Sequence, residues 1–246
     1  MNSRLKWISR GITLLLTYLL ASAPEKKLLF FEGVFTDGFH TAIFDHSLLI
    51  VIILLLAFIA FEIIISFRNS NKMLKNQCHN ACHYIYRYIE KNIGQDFANN
   101  SRVTIFKAIF PNTEKVYLKA ISRYQTKEPY RLTKLKFRPG EGVVGACFET
   151  NSLILENKLP EYEKDTQLYK EISSKNYNLN DGMINKIKIK SCFLLGIPIK
   201  SFDTERTWGV LVIDSAKKPK QLNKGFVRVI EDIIKHYTVF FMEGEK

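Results

Sequence analysis

The chain has 246 residues, 46% of them hydrophobic, and a formal net charge of +12, which leaves room for one globular domain beside an anchor and none for a second domain. Residues 1–67 hold five Lys or Arg and five Asp or Glu, so the whole excess sits in 68–246, where a basic surface would face anionic lipid headgroups at about 1 kcal/mol per nearby cation. No helix-turn-helix, zinc-finger or aromatic-basic RNA motif supports nucleic acid as a partner, and the four cysteines (78, 82, 147, 192) are not spaced as a small disulfide scaffold.

In chain order, residues 11–23 are apolar but short for a membrane span. Their positive start (Arg4, Lys6, Arg10) and their Ala21-Ser-Ala23 end resemble a signal peptide, while Pro24 argues against cleavage, so a short first span is expected. Residues 47–67 are apolar on every face and long enough to cross a hydrocarbon layer of about 30 Å. Arg4, Lys6 and Arg10 before the first segment and Arg68, Lys72 and Lys75 after the second outweigh Lys26 and Lys27 between them. The positive-inside rule then predicts a multi-pass protein of the cell membrane, with both termini cytoplasmic and residues 24–46 outside. Glu62 lies inside the second span, either snorkelling to the headgroups or making a polar contact between helices, and is a candidate functional residue in the membrane.

Residues 68–95 are expected to be a connecting helix on which Leu74, Cys78, Ala81, Ile85 and Tyr88 form a short heptad-like stripe, either a homodimer seam or a face packed on its own domain. Strands are expected at 102–110 and 115–124, joined by a turn at 111–114, and at 134–138, where Lys134, Lys136 and Arg138 share one face and Leu135 and Phe137 the other. A short helix over 143–150, a strand over 151–156 and a helix over 162–172 precede a loop at 176–182, the segment expected to move. Apolar strands at 190–199 and 207–214, turned at 203–206, and an amphipathic helix at about 222–243 complete the chain.

Three stretches carry a resemblance: Phe137-Arg-Pro-Gly-Glu-Gly-Val-Val-Gly145, Cys192-Phe-Leu-Leu-Gly-Ile-Pro-Ile199 and Trp208-Gly-Val-Leu-Val-Ile-Asp214. With the element order around them, residues from about 75 to 243 resemble the GAF domain family of small sensory modules. The resemblance implies an α/β (α+β) fold, an antiparallel sheet with flanking helices. Its first and last helices would share one face, often a dimer surface, with a ligand pocket between the other face and the variable segment. Here that domain, 96–246 with its fold beginning at about 75, would follow a two-helix transmembrane anchor over 1–67.

The family's functional residues do not carry over. The Asn-Lys…Phe-x-x-x-Asp-Glu signature of cyclic-nucleotide-binding members is absent, since Asn185-Lys186 has no such sequence after it, and no Cys-His pair for a bilin stands in the pocket segment. The cysteines do not match the free methionine sulfoxide reductase pattern, and Cys147 and Cys192 read as small core residues. Cys78 with Cys82 and His79 with His83 are i,i+4 pairs, too thin a basis for a metal site. No cofactor and no metal are expected.

Lys186, Lys188 and Lys190, with Arg138 across the fold, are the candidate ligand-binding residues, suited to an anionic or nucleotide ligand if they border the pocket. The expectation is a membrane-anchored, non-enzymatic sensor that binds a small cytosolic ligand and signals through dimer packing or a partner. The alternative is a nucleotide-activated effector of a bacterial antiviral defence system that disrupts the membrane, because the spans are the only other output elements in view.

Overall fold

The computed structural model describes residues 47–112, 115–126, 132, 134–201, 206–222 and 225–243. The chain divides into a unit of Met1–Asn71 and a unit of Lys72–Lys246. The expected first span, the outside loop and parts of both strand turns (113–114 and 203–205) lie outside the described residues.

Helix α1 (Ser47–Asn92) begins in the first unit. There Leu56, Ile59, Ile64 and Phe67 are all exposed, with no polar face to meet water, and Glu62 is half-buried among them. Among the described residues this is the one helix long and apolar enough to cross a membrane. A two-helix anchor is not shown.

The remainder of α1 belongs to the second unit and has a different pattern. Leu74, Cys78, Ala81, Cys82, Ile85, Tyr86 and Ile89 are buried in one core with strand residues of the same domain. The stripe read from sequence as a dimer seam or a packed face is therefore a packed face, and Tyr88, on its margin, stacks on Phe226.

The sheet contains β1 (Ser101–Asn112), β2 (Lys115–Tyr124), β3 (Lys136–Phe137), β4 (Ile154–Glu156), β5 (Phe193–Lys200) and β6 (Thr207–Ser215). Its order is β3-β2-β1-β6-β5-β4, and every pairing is antiparallel. The helices of the domain after α1 are α2 (Gln95–Asn99), α3 (Gly142–Thr150), α4 (Thr166–Tyr177), α5 (Asp181–Lys186) and α6 (Phe226–Glu243).

Strand alternation sorts the side chains into two layers. Val103, Ile105, Leu195, Ile197, Leu211 and Ile213 pack with α1 and with Phe226, Ile230, Ile234 and Phe241 of α6. Phe106, Ala108, Leu118, Ala120, Val210 and Val212 turn the other way, toward Phe137 and toward Val144 and Cys147 of α3. One residue breaks the alternation. Ile105 pairs with Ser122 and Phe106 with Ala120, so Ile121 is an extra residue on β2. This bulge resets the phase of the strand. Beyond it Ser122 and Tyr124 pair with Ile105 and Val103 of the helix-covered layer, and Arg123 comes to lie opposite Thr104.

Two local details set the walls of the second layer. The turn before α3 needs Gly142 at φ 64, and a Cβ on Gly145 would overlap the Arg138 carbonyl oxygen, so the helix start can lie directly on the turn. The segment expected as a mobile loop instead joins two helices. Asn178, left-handed at φ 50, ends α4, and the Asn180 side chain accepts from Met183 N at 2.8 Å to start α5. The strand expected at 134–138 shrinks to Lys136–Phe137, because only these residues pair with β2, at Leu118 and Lys119.

Candidate ligand cavity

Between the second sheet face and the α3–α5 segment lies a cavity of about 520 Å³, within the roughly 300–1,000 Å³ usual for small-molecule sites. Its apolar walls come from Phe106, Phe137, Val144, Leu179, Leu194 and Val212. Among the described residues five lining cations, Arg102, Arg123, Lys134, Lys186 and Lys188, face a single lining carboxylate, Asp214.

The polar groups gather at one end of the sheet because the register puts them there. Arg102 pairs with Asp214 across β1 and β6, and Thr104 pairs with Arg123 across β1 and β2. Arg102 Nε donates to Asp214 Oδ1 at 2.8 Å and Oδ2 at 2.6 Å, with the two side chains 13% and 5% exposed. Ser191 Oγ donates to Asp214 Oδ2 at 2.7 Å. Arg123 Nε donates to Thr104 Oγ1 at 3.0 Å. Burial, then the neighbouring Arg102, push the Arg123 guanidinium down to about 10, with Asp214 pulling the other way, so it is still charged at neutral pH.

The cover is tied to the sheet. Tyr177 lines the cavity, and its hydroxyl donates to Glu156 Oε2 at 2.8 Å. Burial and that carboxylate raise the phenol above its usual range. Tyr169, also lining the cavity, is pushed up to about 12 by burial and then by Asp214. Asn178 Nδ2 donates to the Gly140 carbonyl at 3.3 Å, joining the α4–α5 connection to the glycine turn.

Of the residues singled out in the sequence, Lys186 and Lys188 reach the cavity wall. Arg138 is exposed beside Glu141, at 4.0 Å. Lys190 donates to the carbonyls of Ile184 and Ile187, closing the C-terminus of α5. Its ammonium lies 5.4 Å from the Tyr162 ring centroid, and burial, then Lys170, lower its pKa. Arg102, Arg123, Thr104, Ser191 and Asp214 were not singled out. The signal for Arg102 was present, as a cation in phase with Thr104, Phe106 and Ala108 on a strand face.

All four cysteines are buried free thiols. Burial pushes Cys82 and Cys147 up to about 12 and raises Cys192 as well. Among the described residues no group of three or more His, Cys, Asp or Glu could hold a metal ion.

The strand order, with the first and last helices on one face and a covered cavity on the other, is a GAF-like fold. No family model and no curated protein matches the chain. The solved structures similar to it include the GAF domain of an Acinetobacter phosphoenolpyruvate-protein phosphotransferase, 11% identical over 74% of this chain and 93% of that one, with a TM-score of 0.48. The GAF domain region of a Geobacter sulfurreducens PCA membrane protein is 16% identical over 72% and 97%, with a TM-score of 0.47. A type II free methionine-R-sulfoxide reductase from Thermoplasma acidophilum is 14% identical over 71% and 96%, with a TM-score of 0.46. The expectation of a non-enzymatic chain is corrected here. A reductase stands among the proteins similar in fold, so the fold does not carry an absence of catalysis.

Proposed function

We propose that this protein is a membrane-held sensor whose GAF-like domain binds a small anionic ligand on the cytosolic side. The apolar half of α1 holds it at the bilayer, and ligand occupancy is passed on through self-association or a partner. The observation that carries the reading is the cavity, with apolar walls and, among the described residues, five cations against one carboxylate. Such a site repels a cation, has no need of a neutral polar ligand, and favours an anion with an apolar or aromatic body. Lys186 and Lys188 at the wall attract the ligand, and the apolar side chains retain it.

Full-length protein in nanodiscs, screened by thermal shift against mono- and dinucleotides and aromatic carboxylates, tests this. A ligand at a hundredfold excess over its dissociation constant raises stability by about 2.7 kcal/mol. Lys186→Glu with Lys188→Glu is expected to weaken that shift while leaving the unliganded melting temperature in place, since both lysines are exposed. The absence of a shift with every anion, or an equal shift in the variant, would overturn the reading.

A further inference from the structure

The lysines at the wall are not the innermost cations of the cavity, and the buried end of the sheet is built for a narrower task. Arg102 is held by one edge only. Its Nε meets both oxygens of Asp214, and among the described residues no group bonds its two Nη atoms. Those donors belong to a side chain that lines the cavity. Arg123 lies diagonally across β1 on the same face, and among the described residues Asp214 is the one carboxylate lining the space.

Away from this end the same face turns apolar, through Phe106, Val212 and Leu194. The cavity is therefore polarised along the strands, cationic at one end and greasy at the other. Ser191, donating to Asp214, and Thr104, accepting from Arg123, fix both guanidinium planes before any ligand arrives, which removes the ordering cost of two long side chains.

We propose that the ligand binds head-first: its oxyanion, a phosphoryl or carboxylate group, sits on the floor against the Nη atoms of Arg102 and beside Arg123, and its apolar body lies against Phe106, Phe137, Leu194 and Val212. This rests on the ligand-binding reading above and adds the orientation and the head group. Arg102 is then the specificity-determining residue, and the wall lysines supply attraction without selection.

Three probes of one size test it on the full-length protein in nanodiscs by isothermal titration: phenyl phosphate, benzoate and benzyl alcohol. Charge-assisted hydrogen bonds to a buried guanidinium predict that one or both anions bind about tenfold or more tightly than the alcohol. Preference for both anions supports a generic oxyanion floor, and preference for phenyl phosphate alone supports a phosphoryl one. Arg102→Gln with Asp214→Asn removes both charges of the pair and is expected to bring anion and alcohol to within about threefold of one another. An anion preference that survives in this variant would overturn the proposal and leave selection to the lysines. If wild-type protein binds none of the probes, the ligand-binding reading fails with it.

A second measurement needs no variant. Phenylglyoxal, read by peptide mass spectrometry, is expected to modify Arg102 in the unliganded protein, and phenyl phosphate to protect it where benzyl alcohol does not. An Arg102 that is unreactive without the probe, or equally reactive with it, would equally overturn the proposal.

Discussion

The two faces of the sheet share their strands and their alternation, yet one is filled and the other is hollow. On the α1–α6 side, Ile85, Ile105, Leu195, Ile213, Ile230 and Phe241 meet side chain to side chain with no accessible surface left. On the other side short helices and turns arch over the strands, leaving about 520 Å³ and placing an ion pair where a core would have leucines. The difference lies in what covers each face. Two long amphipathic helices can fill a sheet surface continuously, whereas α3, α4 and α5, of nine, twelve and six residues, are held by caps and turns and can bridge over it. Stability comes chiefly from the first face, and selectivity can be built on the second.

The sharpest way to break this contrast is Asp214→Ala. It strands Arg102 beside Arg123 and is expected to cost about 3–5 kcal/mol, read as a lowered urea midpoint. A loss below about 1 kcal/mol would mean that the floor is wet and the pair is not buried in solution. On the packed face, Ile85→Ala is expected to cost about 2–5 kcal/mol by the same measurement. A near-neutral result would show that the α1 stripe detaches from the sheet and is open to a second chain.

Alkaline pH probes one thiol in each layer. Cys82 and Cys147 have folded-state values of about 12 against an ordinary 9.0. The unfolded chain loses these protons first, so the contribution is complete below pH 9 and declines as pH rises toward 12. By pH 10 the loss amounts to on the order of 1 kcal/mol per thiol, and Cys82→Ala and Cys147→Ala should each flatten the decline equally. Inequality would show that one face admits more water than the other.

The smallest stability effect is expected from Val212→Phe, which grows into the cavity and should change stability by less than about 1 kcal/mol where a filled core would lose more. It should also abolish any ligand-induced thermal shift. Strong destabilisation would mean that the cavity is closed in solution.

Much of the architecture was legible because it is written locally. The apolar strands β5 and β6, the alternation in β1 and the glycine turn before α3 each identify themselves over a few residues. The pattern of α1 from Leu74 onward was ambiguous for a physical reason, since a helix facing its own sheet and a helix facing a twin require the same spacing. The asparagines at 178 and 180 suggested a loop because capping residues and loop residues are chemically alike. In the site, the exposed Lys186 and Lys188 were found by charge. Arg102 and Asp214 were not, because each becomes a floor residue only through pairings more than a hundred positions apart in the chain.

The extra residue at Ile121 gives β2 a grammar of its own. Upstream of it the even positions Leu118 and Ala120 look toward the cavity; downstream the odd position Arg123 does. Replacing Ile121 by another residue of similar size preserves that reading frame, and so does removing it, which leaves Ser122 opposite Ile105 in an unbroken ladder; one further residue taken up as regular strand would shift everything that follows by half a repeat. Arg123 would then point into the helices, and Ser122 and Tyr124 would take its place on the floor. At this position the count of residues matters more than their identity. A relative with a one-residue insertion here would keep the sheet and turn one of its two floor arginines away from the cavity.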